Sequence, residues 1–189
     1  MNNEFRMYVG PMFGGKTTRM LSQLERYRYQ AETVYLFKPS IDARYDSNSV
    51  VTHTGVKSDA ILTTDGYTIR STIERLTSLP CVVAIDEAFM LEGAAEAAID
   101  LFKAGHTILV SSLQLSSDGS PYKEIMGMMP YATHIEVCPA VDSISKRDAY
   151  YTEKYGGRKD HAIEVGGAEM YRPRDWSGFF GVLLPDQHN

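Results

Sequence analysis

Apolar residues along the chain fall into short continuous runs separated by amphipathic stretches. Residues 5–9 (FRMYV) form an apolar run that stops at a glycine, which predicts a buried strand. Across residues 15–30, Met20, Leu21, Leu24 and Tyr27 recur at three- and four-residue spacing, the mark of a helix with one apolar face. Residues 33–37 (TVYLF) are β-branched and aromatic and predict a second strand. Residues 38–55 are polar and read as loop. A helix over 69–79 is halted by Pro80, and 81–85 (CVVAI) is a fully apolar strand. An Ala-rich helix over 93–104 precedes Gly105, a C-terminal stop signal. Residues 106–112 (HTILVSS) predict a strand, 117–120 a turn, 122–129 a short helix ending at Pro130, and 133–137 a further strand.

Strands that are continuously apolar and alternate with helices predict an α/β fold, with a mostly parallel sheet covered on both faces. Beyond about Pro139 the pattern dissolves into tyrosines, charges and the pairs Gly156–Gly157 and Gly166–Gly167. That stretch predicts a second, loop-rich subdomain over 139–189, following a main domain over 1–138. Residues 164–178 (EVGGAEMYRPRDWSG) hold the only tryptophan and show no clear period.

Between the first strand and the first helix lies GPMFGGKT, residues 10–17, which fits G-x-x-x-x-G-K-[ST] in the context that gives the motif its meaning. Gly10, Gly14 and Gly15 let the backbone curl until successive N–H groups face one phosphate. The helix start adds its dipole. Lys16 supplies a compact positive charge to the β/γ phosphates, and the Thr17 hydroxyl is suited to Mg²⁺. The strand 81–85 ends in Asp86–Glu87, and an acid at such a strand end organises Mg²⁺ in P-loop proteins. Adjacent strand residues point to opposite sides, so the two acids take different tasks. Asp86 is assigned to the metal, and Glu87 to the acceptor as general base. The residues alone reach a P-loop enzyme with a carboxylate pair; they do not separate transfer to water from transfer to a metabolite.

Composition narrows the partners. The 189 residues suffice to bury roughly 70% of the unfolded surface. The net charge of −5 argues against nonspecific nucleic-acid binding. No apolar run is long enough to cross a membrane. The start MNNEFRMYVG has no apolar signal core, so a cytoplasmic protein is expected. Cys81 and Cys138 are too few and too far apart for a disulfide framework and read as reduced thiols.

Several blocks resemble the type II, cellular and bacterial, thymidine kinases. GPMFGGKTT matches that family's phosphate loop, including Pro11, Met12 and Phe13, which phosphate binding does not demand, and extends to Thr18. Ile85-Asp86-Glu87, IDARYDSNSVVTHTG, SSLQLSSDGSPY, RDAYYTEK and VGGAEMY follow in the family's order. The resemblance implies a RecA-like P-loop domain with a small lasso subdomain. It implies ATP- and Mg²⁺-dependent phosphorylation of the thymidine 5′-hydroxyl in nucleotide salvage for DNA synthesis, a homotetramer, and feedback by dTTP. It makes Glu87 the base. Met12, Met90, Leu113, Ser117 and Tyr122 fall at substrate-facing positions, with Thr152 and Tyr171 completing the pocket. Main-chain groups around Ala162, Ile163, Glu164 and Val165 read the base, and Asp42 and Arg44 lie near the phosphates.

The chain also departs from the family. The lasso zinc is usually held by two cysteine pairs, which align with Asp142 and Ser145 and with Asp175 and Gly178. Two aspartates without thiolate or imidazole make a poor structural zinc site, so no zinc is expected. Trp176, Phe179, Phe180, Val182 and Leu183 are expected to pack in its place; a lasso that stays mobile until substrate binds is the competing reading. Gln114 replaces an aspartate, Ser117 an aromatic, Phe89-Met90 glutamine-phenylalanine, Thr54 an acid, and Gly14 a serine. These changes leave room for deoxyuridine or a modified pyrimidine nucleoside as acceptor. The alternatives are a P-loop NTPase of another class and a degenerate nucleotide-binding protein without turnover.

Overall fold

The computed structural model describes residues 3–41, 49–51, 57–156 and 166–181. Six strands form one parallel sheet: β1 (Phe5–Val9), β2 (Val34–Pro39), β5 (Ile61–Thr63), β6 (Val82–Ile85), β7 (Thr107–Ser112) and β8 (His134–Val137), in the spatial order β5-β2-β6-β7-β1-β8. Strand β1 is flanked by β7 and β8, pairing Met7 with Val110 on one side and with Ile135 on the other. The chain leaves β1 in one direction along the sheet and returns to β1's far side only with β8. That reversal opens a crevice at the carboxyl ends of the strands, where ligands of open α/β sheets bind.

Period-two alternation in the strands builds two cores. Phe5, Met7, Val9, Val83, Ile85, Ile108 and Val110 face one side. There they meet α2 (Gly66–Leu76), α3 (Ala94–Lys103) and α4 (Lys123–Met128) through Ile69, Ile73, Ala94, Ala98, Leu101, Ile125 and Met128. Tyr8, Leu36, Val82, Ala84 and Leu109 face the other side, against Met20, Leu21, Leu24 and Tyr27 of α1 (Lys16–Tyr29). The fold is therefore α/β with both sheet faces covered, as the apolar runs predict.

The differences from expectation have local causes. Helix α2 begins three residues before the predicted start, because Asp65 accepts the Thr68 N–H at 2.7 Å and caps it. Part of the expected loop over 38–55 is strand: β2 runs through Pro39, and β3 (Ser49–Val51) pairs antiparallel with β4 (Lys57–Asp59).

After β8 come two short hairpins. Strand β9 (Ala140–Val141) pairs with β10 (Asp148–Ala149), and β11 (Tyr151–Lys154) pairs with β12 (Tyr171–Arg174), followed by α5 (Trp176–Phe180). Pro173 is tolerated because β12 is an edge strand in a two-stranded ladder. The aromatic residues only partly do what the sequence predicts. Phe179 stacks on Tyr151 at 5.0 Å and Phe180 meets the same ring edge-on at 5.1 Å, but Trp176 and Phe180 are about half exposed. Val182 and Leu183 lie outside the described residues. Between the two hairpins sits a carboxylate instead. Asp142 is fully buried and accepts the N–H groups of Ile144 (2.8 Å) and Asp175 (2.9 Å) and the Nε–H of Arg174 (3.1 Å).

Burial works against the Asp142 charge, but the N–H groups of Asp175, Ile144 and Ser145 and the Arg174 guanidinium outweigh it. They hold the carboxyl below its ordinary 3.8. Asp175 is lowered too, first by the Gly178 N–H, against burial and the like charge of Asp142. The other charges facing this point are Glu153 and Arg172. A carboxylate lowered on folding stabilises fully above its unfolded pKa and loses that contribution as pH falls through the folded value. The denaturant midpoint should therefore fall from about pH 5 to about pH 3, and fall less in Asp142→Asn. Equal acid sensitivity of the two proteins would contradict this assignment.

Candidate active site

The phosphate loop leaves β1 at Gly10 and enters α1 at Lys16. Its shape is set by the exit of β8. A Cβ on Gly10 would lie 2.3 Å from the Cys138 carbonyl oxygen, and one on Gly14 would lie 2.4 Å from the same atom. Both positions must be glycine because main chain occupies the space of a side chain. Phe13 and Gly15 adopt left-handed backbone (φ 65° and 72°). Gly15 offers no side-chain cap, so the first N–H groups of α1 face outward for a ligand. Lys16 is buried, with Nζ 2.7 Å from the Pro11 carbonyl oxygen, lying back across the loop it follows. Thr18 is exposed on the first turn of α1.

Two strand ends meet this loop. Asp86, buried at the end of β6, accepts the Thr17 hydroxyl at 2.9 Å. The Ser111 hydroxyl of β7 lies 3.4 Å from Thr17 and also bonds to Asp86. Burial, and next the neighbouring Glu87 charge, push the Asp86 carboxyl well up; Ser111, Thr17 and Lys16 pull against them. A buried carboxylate beside a hydroxyl, charge-starved in this way, is an oxygen donor pair fit for a hard divalent cation. Glu87 turns away from the strand line in a left-handed conformation (φ 49°, ψ 44°), rare for a residue with a side chain. The two acids therefore diverge because the chain turns sharply between them, beyond what pleat alternation supplies.

Beside Glu87 is an apolar wall. Met12, Met90, Leu113 and Tyr122 all pack against the same buried cluster. The Tyr122 ring lies 4.6 Å from that of Phe89, whose N–H is held by the Ser112 hydroxyl at 3.1 Å. The Tyr122 hydroxyl is pushed up to about 12, by burial first and then by the charges of Tyr171, Asp118 and Glu87. Ser117 is half-buried on the loop closed by the Leu115–Pro121 bridge. From the far end of the chain, Thr152 is buried and its Oγ1 accepts the Met12 N–H at 2.9 Å.

The structure thus brings the phosphate loop, Asp86, Glu87, the apolar wall and Thr152 together at the carboxyl ends of the sheet strands, with Tyr171 close enough to influence Tyr122. A family model described as thymidine kinase matches residues 3–174. The chain belongs to the thymidine kinase family. Among curated relatives it is similar to a thymidine kinase of Pyrobaculum aerophilum, 31% identical over 174 residues, covering 88% of this chain and 92% of that one. It is also similar to a thymidine kinase of Thermococcus kodakarensis, 31% identical over 177 residues, covering 88% of each.

For a thymidine kinase family member, three positioned groups carry little sequence signal. Ser111 ends an apolar strand as Asp86 does, and that parallel is a usable cue. The Cys138 carbonyl is main chain and has none. Asp142 shows only that a carboxylate stands in a polar tail. Asp42, Arg44, Ala162, Ile163, Glu164 and Val165 lie outside the described residues. Among the described residues no helix is long and apolar enough to cross a membrane.

The close approach at Gly14 makes a prediction. Gly14→Ala should destabilise the protein by about 1–3 kcal/mol, since its methyl group must displace the Cys138 main chain. A denaturant midpoint equal to that of the unmodified protein would show that the loop has slack there.

Proposed function

We propose that the protein transfers the γ-phosphate of ATP to the 5′-hydroxyl of thymidine. The carrying observation is the adjacency of Glu87 to both the phosphate loop's Asp86–Thr17 pair and the apolar wall of Met12, Met90, Leu113 and Tyr122. Donor and acceptor sites then share one boundary, and Glu87 stands on it.

In this reading the N–H groups at the start of α1, from Gly15 to Thr17, and the α1 dipole hold the β and γ phosphates. Lys16 leaves the Pro11 carbonyl for a phosphate oxygen. Thr17 and Asp86 are the residues that would hold Mg²⁺, which when bound neutralises phosphate charge. The nucleoside lies against the wall with its sugar toward Glu87. Glu87 accepts the 5′-hydroxyl proton as the bond from that oxygen to the γ-phosphorus forms and the bond to the β-bridging oxygen breaks. The products are thymidine monophosphate and ADP. Asp42 and Arg44 are assigned to the phosphate end.

The hairpins after β8 act as a second unit, residues 139–189, that closes over the base, with Thr152 and Tyr171 on its inner side. Main-chain groups of 162–165 read the thymine edge. Closure excludes water, so phosphate goes to the sugar. Gln114 and Ser117 leave the pocket open to deoxyuridine as well. A cytoplasmic homotetramer inhibited by dTTP completes the reading.

Glu87→Gln should keep ATP binding and lose about 10²–10⁴-fold in thymidine-dependent turnover, measured as ADP release. Unchanged turnover would remove Glu87 from the role of base. A side-by-side panel of thymidine, deoxyuridine and deoxycytidine ranks the acceptors; activity confined to a purine nucleoside would overturn the pyrimidine assignment.

A further inference from the structure

The family's zinc positions in this chain hold Asp142, Ser145, Asp175 and Gly178, and these residues are already engaged with one another. Asp142 Oδ1 accepts the N–H groups of Ile144 (2.8 Å) and Ser145 (3.3 Å), closing the first turn. Asp175 Oδ1 accepts the Gly178 N–H (2.7 Å) and the Ser177 hydroxyl (3.1 Å), closing the second. The turns are joined by Asp142 Oδ2, which accepts the Asp175 N–H (2.9 Å) and the Arg174 Nε–H (3.1 Å). Among the described residues, no group of three or more His, Cys, Asp or Glu could hold a metal ion. These residues do not fit a structural zinc: they lack soft donors, and both carboxylates accept main-chain hydrogen bonds.

The join continues toward the active site. Arg174 Nη1 bonds to Glu153 Oε2 at 2.8 Å, and Arg172 Nε reaches the same oxygen at 2.5 Å. Glu153 lies on β11 next to Thr152, and Thr152 pairs across the ladder with Pro173, between those two arginines. Thr152 in turn takes the Met12 N–H of the phosphate loop. On the other flank of Thr152, Tyr151 stacks on Phe179, whose ring would lie 3.6 Å from a Cβ on Gly119 in the loop that carries Ser117.

We infer that Asp142 is a positioning residue: a buried carboxylate clasp, in place of a metal, that fixes β11 so that Thr152 holds the phosphate loop at Met12. The effect on catalysis rests on the kinase reading above; the effect on β11 does not. A structural metal orders its ligands by bonds to one central atom. Here Asp142 does so with four hydrogen bonds, three of them from main chain, and one arginine, Arg174, carries the constraint across the ladder to Glu153 on β11.

The test is a double-mutant cycle on the full chain. Asp142→Asn keeps the Oδ1 acceptor for the first turn and loses the Oδ2 acceptor that joins the two. It should raise the thymidine KM about tenfold, with a smaller change in kcat. In a Thr152→Val background the same substitution should add little, because its effect runs through Thr152. Effects that multiply would overturn the proposal, as would an unchanged thymidine KM. Should Asp142→Asn not fold, Arg174→Lys serves in the same cycle with the same outcomes. Amide hydrogen exchange decides the structural half independently of turnover. Protection over 151–154 and 171–174 should drop in Asp142→Asn while β1, β6 and β7 keep theirs; retained protection in the hairpin overturns the clasp. Wild-type protein without thymidine turnover would sink the kinase reading and leave this comparison intact. Elemental analysis should find no bound zinc; stoichiometric zinc whose chelation raises the thymidine KM would refute the clasp.

Discussion

The hydrogen bond from the Met12 N–H to Thr152 Oγ1 joins residues 140 positions apart, and the geometry of the crevice depends on it. Met12 is both a member of the phosphate loop and part of the apolar wall. Fixing its amide fixes the loop's curvature and the wall's edge together. From the other side the Cys138 carbonyl presses against Gly10 and Gly14. The loop is thus held between the exit of the last sheet strand and the first hairpin strand that follows. Neither contact involves an apolar side chain: one is main chain, the other a single hydroxyl. A directional polar contact specifies position more sharply than area burial does.

Charge is arranged with the same economy. Asp86 is buried in a place where its own charge is unfavourable, with Glu87 adding to the cost and only hydroxyls and Lys16 offsetting it. Such a site is poised to gain from an incoming cation. At Glu87 the chain leaves the line of β6 through a left-handed turn (φ 49°, ψ 44°). Backbone strain of this kind costs of order 1–3 kcal/mol and persists where the surroundings enforce it. The pairing of Asp86 with the Phe37 carbonyl through its N–H at 2.9 Å, and the short turn over 88–90, do the enforcing.

What the sequence makes legible follows from physics that is local. Apolar runs mark the strands β1, β2, β6 and β7 because helices cover the sheet on both faces there, whereas β8 (HIEV) is an edge strand with most of its residues exposed. The phosphate loop is legible because its function is carried by glycine, lysine and threonine at fixed spacing. Strands β3, β4 and β9 to β12 are only two to four residues long, so no period marks them. Strand β5 (ILT) is too short for any period to show. Composition points to aromatic residues, Trp176, Phe179 and Phe180, as the fastening of the hairpins. The carboxylate of Asp142 does it through main-chain N–H groups, which have no letter in the sequence. Arg174, Glu153 and Asp142 are spread over 32 residues and reveal themselves only when the two hairpins are side by side.

The described residues therefore form one chain of support, from Asp142 through Arg174, Glu153 and Thr152 to Met12, and from the phosphate loop to the carboxylate pair. Its purpose in the kinase reading is to deliver phosphate to a sugar rather than to water. The fate of the γ-phosphate tests that most directly. With ATP and thymidine present, phosphorus NMR of the products should show thymidine 5′-monophosphate formed in step with ADP, and almost no inorganic phosphate without the nucleoside. Inorganic phosphate released at the same rate whether or not thymidine is present would contradict the account.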